Sequence, residues 1–165
     1  MPNIIKDGNI ISDDKWVLVE DSDIGEMASL PEGDLILPLS LFQAWAHELS
    51  DRKVGVWLNS DDSPEAIKEH CPTLPLIAIN FPVFADGRGY SYANILRIQY
   101  GYQGELRAIG DVLKDQLSFY KRVGFNSFAL RDDQNPEEAL RHFADFTQPY
   151  QAAVDNDKPL FQTRR

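Results

Sequence analysis

Leu76-Ile77-Ala78-Ile79-Asn80-Phe81 is a short, almost unbroken apolar run, and a loop carries it into a helix-length stretch from Ser91 to Gln99. A strand covered on both faces reads this way, because neither face is given to water. The same pairing recurs on either side. Leu35-Ile36-Leu37 precedes a helical stretch over Ser40 to Leu49, and Val54-Gly55-Val56-Trp57-Leu58 precedes a helix opening at Ser63-Pro64-Glu65-Ala66. There Ser is a cap and Pro is tolerated in the first turn. Further on, Glu105-Leu106-Arg107-Ala108-Ile109 leads into Val112 to Val123, and Phe125 to Leu130 leads into Pro136 to Phe146, with a last short candidate strand at Tyr150 to Val154. Each unit takes roughly 20–28 residues, the size of a strand with its crossover helix.

Five to six such units, over about residues 34–155, predict a single α/β domain spanning residues 1–165 with a mainly parallel sheet. Ahead of them, within residues 1–20, Asn3 to Lys6 and Asn9 to Ile11 flank Asp7-Gly8, which supplies the positive φ angles of a tight turn and so predicts an N-terminal β-hairpin. Trp16-Val17-Leu18-Val19 reads as a further short strand. Two shapes fit: an open doubly wound sheet, or a partial, barrel-like one. A full eight-stranded barrel takes about 250 residues. Either shape puts ligands beyond the carboxyl ends of the strands, at the loops after Phe81, Ile109 and Leu130.

Apolar residues make up 43% and charged residues 25%, an ordinary globular composition. The first residues carry no basic segment followed by an apolar run, and no apolar stretch nears the roughly 18 residues that span a bilayer. A cytoplasmic protein with no membrane contact is expected. One cysteine, Cys71, excludes an internal disulfide and a CxxC pair, and with it an all-Cys zinc or iron–sulfur centre, so no intrinsic cofactor is expected. His47, His70 and His142 share no ligand spacing, and no metal site is expected. The net charge of −10 argues against nucleic acid, whose binding rests on phosphate neutralisation. That charge is uneven: residues 1–81 carry five basic and fifteen acidic side chains, whereas residues 82–131 carry seven and four.

The cationic middle contains Phe84-Ala85-Asp86-Gly87-Arg88-Gly89-Tyr90-Ser91. Gly87 and Gly89 let the backbone approach a ligand, Ser91 is placed to cap a helix whose remaining free N–H groups suit an anion, and Arg88 would supply a planar fork. The segment matches neither GxGxxG nor a P-loop, and a tight turn with Asp86 as cap and Arg88 in a surface ion pair explains it as well. Arg97 and Arg107 could converge on the same place. Arg107 lies inside a strand and needs a carboxylate partner or a ligand. Asp111, after Gly110, reads as a helix N-cap or as a general acid or base. Asp132-Asp133 fits Mg²⁺ or the capping of a helix that starts near Asn135-Pro136-Glu137.

The run from Phe84 to Ala93, then Leu96-Arg97, then Gly101-Tyr102 and Gly104 to Leu117, closing with Gly124-Phe125, resembles the bacterial family known as domain of unknown function 934. The resemblance takes in Leu37-Pro38-Leu39 and Val54 to Leu58 as well. It implies a cytoplasmic bacterial protein whose gene neighbours encode sulfite reductase and the sulfonucleotide reductase of sulfate assimilation. The leading expectation is therefore an accessory protein of assimilatory sulfate or sulfite reduction. It would bind the reductase, or a small oxyanion, through residues 84–111, with positive charge from Arg88, Arg97 and Arg107 and hydrogen bonds from the Gly87 and Gly89 backbone and Ser91. The alternative is an enzyme acting on a small anionic metabolite, with Asp86 or Asp111 as general acid or base. A direct oxidoreductase comes third.

Overall fold

The computed structural model describes residues 4–20, 25–82 and 87–144. Strands β1 (Ile4–Lys6) and β2 (Asn9–Ile11) form the expected hairpin, with Asp7 and Gly8 at φ 51° and 83°. Six more strands follow: β3 (Trp16–Leu18), β4 (Asp34–Pro38), β5 (Val54–Leu58), β6 (Leu76–Phe81), β7 (Glu105–Gly110) and β8 (Ser127–Ala129). Helix α1 (Leu39–Trp45) follows β4, and a 3-10 stretch (Pro64–His70) follows β5, its first turn bonded to the Ser63 hydroxyl. Helix α2 (Arg88–Asn94) runs on into a π-helical turn (Ile95–Gln99). Helix α3 (Leu117–Val123) ends at Gly124, whose φ of 124° suits a residue without Cβ. Helix α4 (Pro136–Ala144) is capped by Asn135, whose side-chain oxygen accepts from the Glu137 and Glu138 N–H groups. The candidate strand Tyr150–Val154 lies outside the described residues.

The eight strands form one mixed sheet in the order β2-β1-β8-β7-β6-β5-β4-β3. From β3 to β8 every pairing is parallel, and β1 alone joins β8 antiparallel, with Ile5 opposite Phe128. The parallel run thus has six strands, and the hairpin that precedes it in sequence extends its far edge. Strand order follows sequence without reversal, so there is no switch point and the doubly wound alternative is corrected. The described helices pack against one face, as crossovers made in one direction with the usual right hand require.

The buried residues divide accordingly. Leu35, Leu37, Val56, Leu58, Ile77, Ile79, Phe81, Leu106 and Phe128 pack with the helices, against Phe42, Ile67, Leu96, Leu117 and Tyr120 among others. Ile4, Ile36, Leu76, Ala78, Ile109 and Ala129 form a second cluster with Trp16, Leu18 and Trp57, and no helix contributes to it. The strands are apolar on both faces, as the sequence indicates, but what covers the second face is the sheet itself. The reason lies in one connection. Strands β2 and β3 are the two edges, yet only residues 12–15 join them. Seven strand spacings of about 4.8 Å would separate the edges of a flat sheet by about 34 Å. Five residue steps reach at most about 18 Å. The sheet must therefore curl through more than half a circle, giving a half-barrel whose concave side holds the second cluster.

The carboxyl rim of the half-barrel as candidate functional site

The concave face has a charged floor and a polar rim. At the amino end, Arg107 of β7 is 1% exposed and points inward beside Ala78 and Ser127, its register partners. Its guanidinium donates to both Asp14 oxygens (Nη1–Oδ2 3.2 Å, Nη2–Oδ1 2.8 Å), to Glu105 Oε2 (2.7 Å from Nη2) and to Ser127 Oγ (2.9 Å from Nε). Glu105 also meets Lys6 at 3.0 Å. Of the two uses open to Arg107 from sequence, the structure holds the internal ion pair. Asp14 comes from the four-residue connection between the sheet edges, so the link that forces the curl also supplies the counter-ion.

Arg97 is committed as well. From the π-helical turn it donates to three backbone carbonyls: Nε to Gly124 (2.9 Å), and Nη1 to Tyr102 (2.8 Å) and Gly104 (2.9 Å). Its guanidinium also lies 5.4 Å from the Tyr102 ring centroid, and burial pulls its pKa down. Arg97 thus braces the loops that lead into β7 and β8. The Tyr102 hydroxyl bonds the Leu74 and Glu105 carbonyls, and burial pushes its pKa up.

The motif at 84–91 opens α2 earlier than expected. Asp86 lies outside the described residues. Gly87 is the N-cap, with an ordinary φ of −83°, and Arg88 is the first helical residue, exposed at the surface. Ser91 is therefore inside the helix and exposed, which corrects its expected capping role. Gly89 is buried against the sheet: a Cβ there would stand 2.6 Å from Phe81 Cε1 and Cζ and 3.0 Å from Ile79 Cγ2. Its missing side chain lets the helix sit close to β6. Gly87, by contrast, has open space around it.

Asp111 follows β7 at the carboxyl end, its N–H on the Phe81 carbonyl at 2.7 Å. It caps no helix, because Val112 and Leu113 intervene before the 3-10 turn Lys114–Gln116. Its carboxylate instead accepts from Arg131 Nη1 at 2.7 Å. Arg131, just past β8, also forks onto both oxygens of Asp133 at 2.6 and 2.7 Å. Those bonds raise the Arg131 pKa and hold the Asp133 carboxyl down at about 2. Asp133 is thus held by Arg131, and it is Asn135 that caps α4.

Further around the rim, the Asn80 amide donates to Asn59 Oδ1 at 3.0 Å, and the Tyr92 hydroxyl reaches the Ser60 carbonyl at 2.8 Å. Beneath it, Tyr90 donates to Gln116 Oε1 at 2.8 Å and meets the exposed Phe119 ring edge-on at 4.7 Å. Tyr120 is wholly buried, and no group among the described residues meets its hydroxyl at good hydrogen-bond geometry. Burial, then the nearby Tyr90 hydroxyl, pushes its pKa up.

The structure therefore brings Asp111 together with Arg131 and Asp133 at the carboxyl rim, and it places Arg107 and Arg97 in separate internal networks. The sequence reading missed Arg131, Asn59 and Asn80. Each stands where an inward-facing strand position meets the loop, two residues beyond Ala129, Trp57 and Ala78, and that spacing was the signal available. No group of three or more metal-ligating side chains occurs among the described residues, and no helix among them is long and apolar enough to cross a membrane.

A half-barrel with a filled concave side and a polar carboxyl rim defines the class of α/β protein to which this chain belongs. More narrowly, it is a member of the family described as "Bacterial protein of unknown function (DUF934)", whose model matches residues 55–161. The matched span begins within β5, so β1–β4, α1 and Leu37-Pro38-Leu39 lie outside it. No curated protein and no solved structure matches the chain.

Proposed function

We propose that the protein is an accessory component of assimilatory sulfate or sulfite reduction, and that it binds the reductase or another enzyme of that route through the carboxyl rim and the adjoining faces of α2 and α3. The gene neighbourhood implied by the family resemblance motivates the pathway. The observation that favours a protein partner over a captured oxyanion is how Arg97 and Arg107 are used. Both guanidiniums are committed to acceptors within the chain, and withdrawing either would leave buried polar groups unpaired. Meanwhile Phe119 stays 46% exposed and Ile98 65% exposed, on α3 and on the π-helical continuation of α2. Aromatic and aliphatic side chains of this kind anchor protein contacts.

The test is co-purification of the tagged protein from a sulfate-grown bacterial culture, with identification of the bound proteins. Recovery of sulfite reductase that falls at least tenfold in a Phe119→Asp, Ile98→Asp variant of unchanged melting temperature supports the reading. Recovery of no enzyme of sulfur reduction overturns it. A second reading keeps Asp111 in view. Its carboxylate stands at the carboxyl end of β7 beside Arg131, where an enzyme acting on a small anionic metabolite would need both charges.

A further inference from the structure

An open cleft of about 620 Å³ lies at the opposite end of the sheet, outside it, where α1 leads down to the amino ends of β5 and β6. Its volume falls within the range of small-molecule sites. Phe42, Leu49 and Leu74 are its buried apolar lining. The ionisable side chains lining it are all basic: Arg52 and Lys53 carry the charge, His47 and His70 stand beside them, and no carboxylate is among the lining residues.

That composition runs against the surrounding chain. Residues 1–81 hold fifteen acidic side chains and five basic ones (Lys6, Lys15, Arg52, Lys53 and Lys68), and two of the five line this cleft with two of the three histidines. Several cations elsewhere meet carboxylates: Lys6 on Glu105, Arg107 on Asp14 and Glu105, Lys114 on Glu138, Arg131 on Asp111 and Asp133, while Arg97 is taken up by backbone carbonyls. In the cleft no ion pair forms among the described residues. Arg52 gives Nη2 to the Pro31 and Gly33 carbonyls, both at 2.6 Å, which fixes the side chain, and among the described residues no acceptor meets Nε or Nη1. His70 is held edge-on to Phe42 at 5.1 Å, and its carbonyl accepts from the Thr73 hydroxyl.

The geometry points to a binding site for a small organic anion: a carboxylate or phosphate head taken by Lys53, His47 and Arg52, with an apolar body lying on Phe42, Leu49 and Leu74. An apolar lining alone would take a neutral ligand, and a surface cation cluster alone would attract inorganic ions without orienting them. The two side by side select an amphipathic anion. This site is independent of the carboxyl rim and of the function proposed there.

The experiment is an NMR titration of the isotope-labelled full chain with phenyl phosphate, with benzoate, and with neutral benzyl alcohol as the same ring without charge. Saturable shifts confined to residues 42–54 and 70–75 are expected for at least one anion, with affinity at least tenfold above that for benzyl alcohol. The better of the two anions identifies the head group. In a Lys53→Gln, His47→Gln variant, whose exposed substitutions leave the spectrum otherwise folded, the anion should lose about tenfold in affinity while benzyl alcohol keeps its own. Absence of saturation for both anions, shifts centred elsewhere, or unchanged anion affinity in the variant would each overturn the assignment.

Discussion

Arg107 and Asp14 stand 93 residues apart in sequence, yet two hydrogen bonds join them inside the half-barrel. Asp14 sits on the short link between the two sheet edges, and Arg107 is near the middle of the sheet. Their pairing therefore ties the mouth of the curl to its wall. Removing one partner of a buried pair typically costs about 3–5 kcal/mol, because the other charge is left without compensation. Glu105 and Ser127 remain to Arg107, so Asp14→Ala should fall at the lower end, about 3 kcal/mol. Lys6→Ala, which removes a half-exposed partner of Glu105, should cost under about 1 kcal/mol. Urea denaturation of the two variants measures both. Equal costs would mean that the Asp14 link contributes nothing special.

The two glycines of the motif separate packing from backbone freedom. Gly89→Ala gains about 1 kcal/mol of helix propensity, but its Cβ meets a Phe81 ring locked among Tyr90, Tyr120 and Phe125. Overpacking of this kind costs about 1–3 kcal/mol, so the steric effect wins and the variant should be less stable. Gly87→Ala has open space and an ordinary φ, and its entropy gain offsets the poorer fit of Ala at an N-cap, so stability should stay within about 0.5 kcal/mol of the parent. Thermal melts of the pair decide it, and a destabilised Gly87→Ala would point to a demand on the backbone there that packing does not explain.

Arg97→Lys should be far from conservative. A single ammonium cannot reproduce the fork that spans the Gly124 carbonyl on one side and the Tyr102 and Gly104 carbonyls on the other. Two carbonyls left without a donor predict a loss of about 2–3 kcal/mol, with the loops at 101–104 and 124–126 becoming faster to exchange. Hydrogen exchange read residue by residue would show this, and unchanged protection there would remove Arg97 from its bracing role.

Much of the fold is legible from local pattern. The Asp7-Gly8 turn, the apolar runs of the strands and the helical stretches after them all follow from short-range sequence. The curl is not legible locally, because residues 12–15 are an unremarked polar link until the strand order makes them join two distant edges. The candidate site fails in the same way. Arg107 in a strand announces that it needs a partner, but nothing near it names Asp14. Asp111 carries the signature of a cap, yet the chain makes an extra turn, with the Val112 N–H on the Gly110 carbonyl, before any helix begins. Arg131, which takes up Asp111 instead, follows an apolar strand with no motif around it.

The rim should respond to acid in a defined window. Arg131 lowers the Asp133 pKa from its ordinary 3.8 to about 2. A depressed carboxyl stabilises the fold above its unfolded value, and that contribution fades as pH falls from about 4 through 2. An NMR titration of the Asp133 carboxyl should therefore find a midpoint near 2, rising towards 3.8 in Arg131→Gln. An ordinary midpoint in the parent protein would mean that the fork onto Asp133 does not persist in solution.

The place of the first hairpin bears on how the chain is made. Ile4 and Ile5, wholly buried, have Ala129 and Phe128 as their neighbours across the sheet. A ribosome must therefore release more than a hundred further residues, on the order of ten seconds of synthesis, before the first strand finds its place. Until then β3 to β7 can pair in the order in which they emerge, while β1 waits with two isoleucines uncovered. Nascent chains halted short of residue 127 should accordingly be captured by chaperones, and release past residue 129 is the event that completes the sheet.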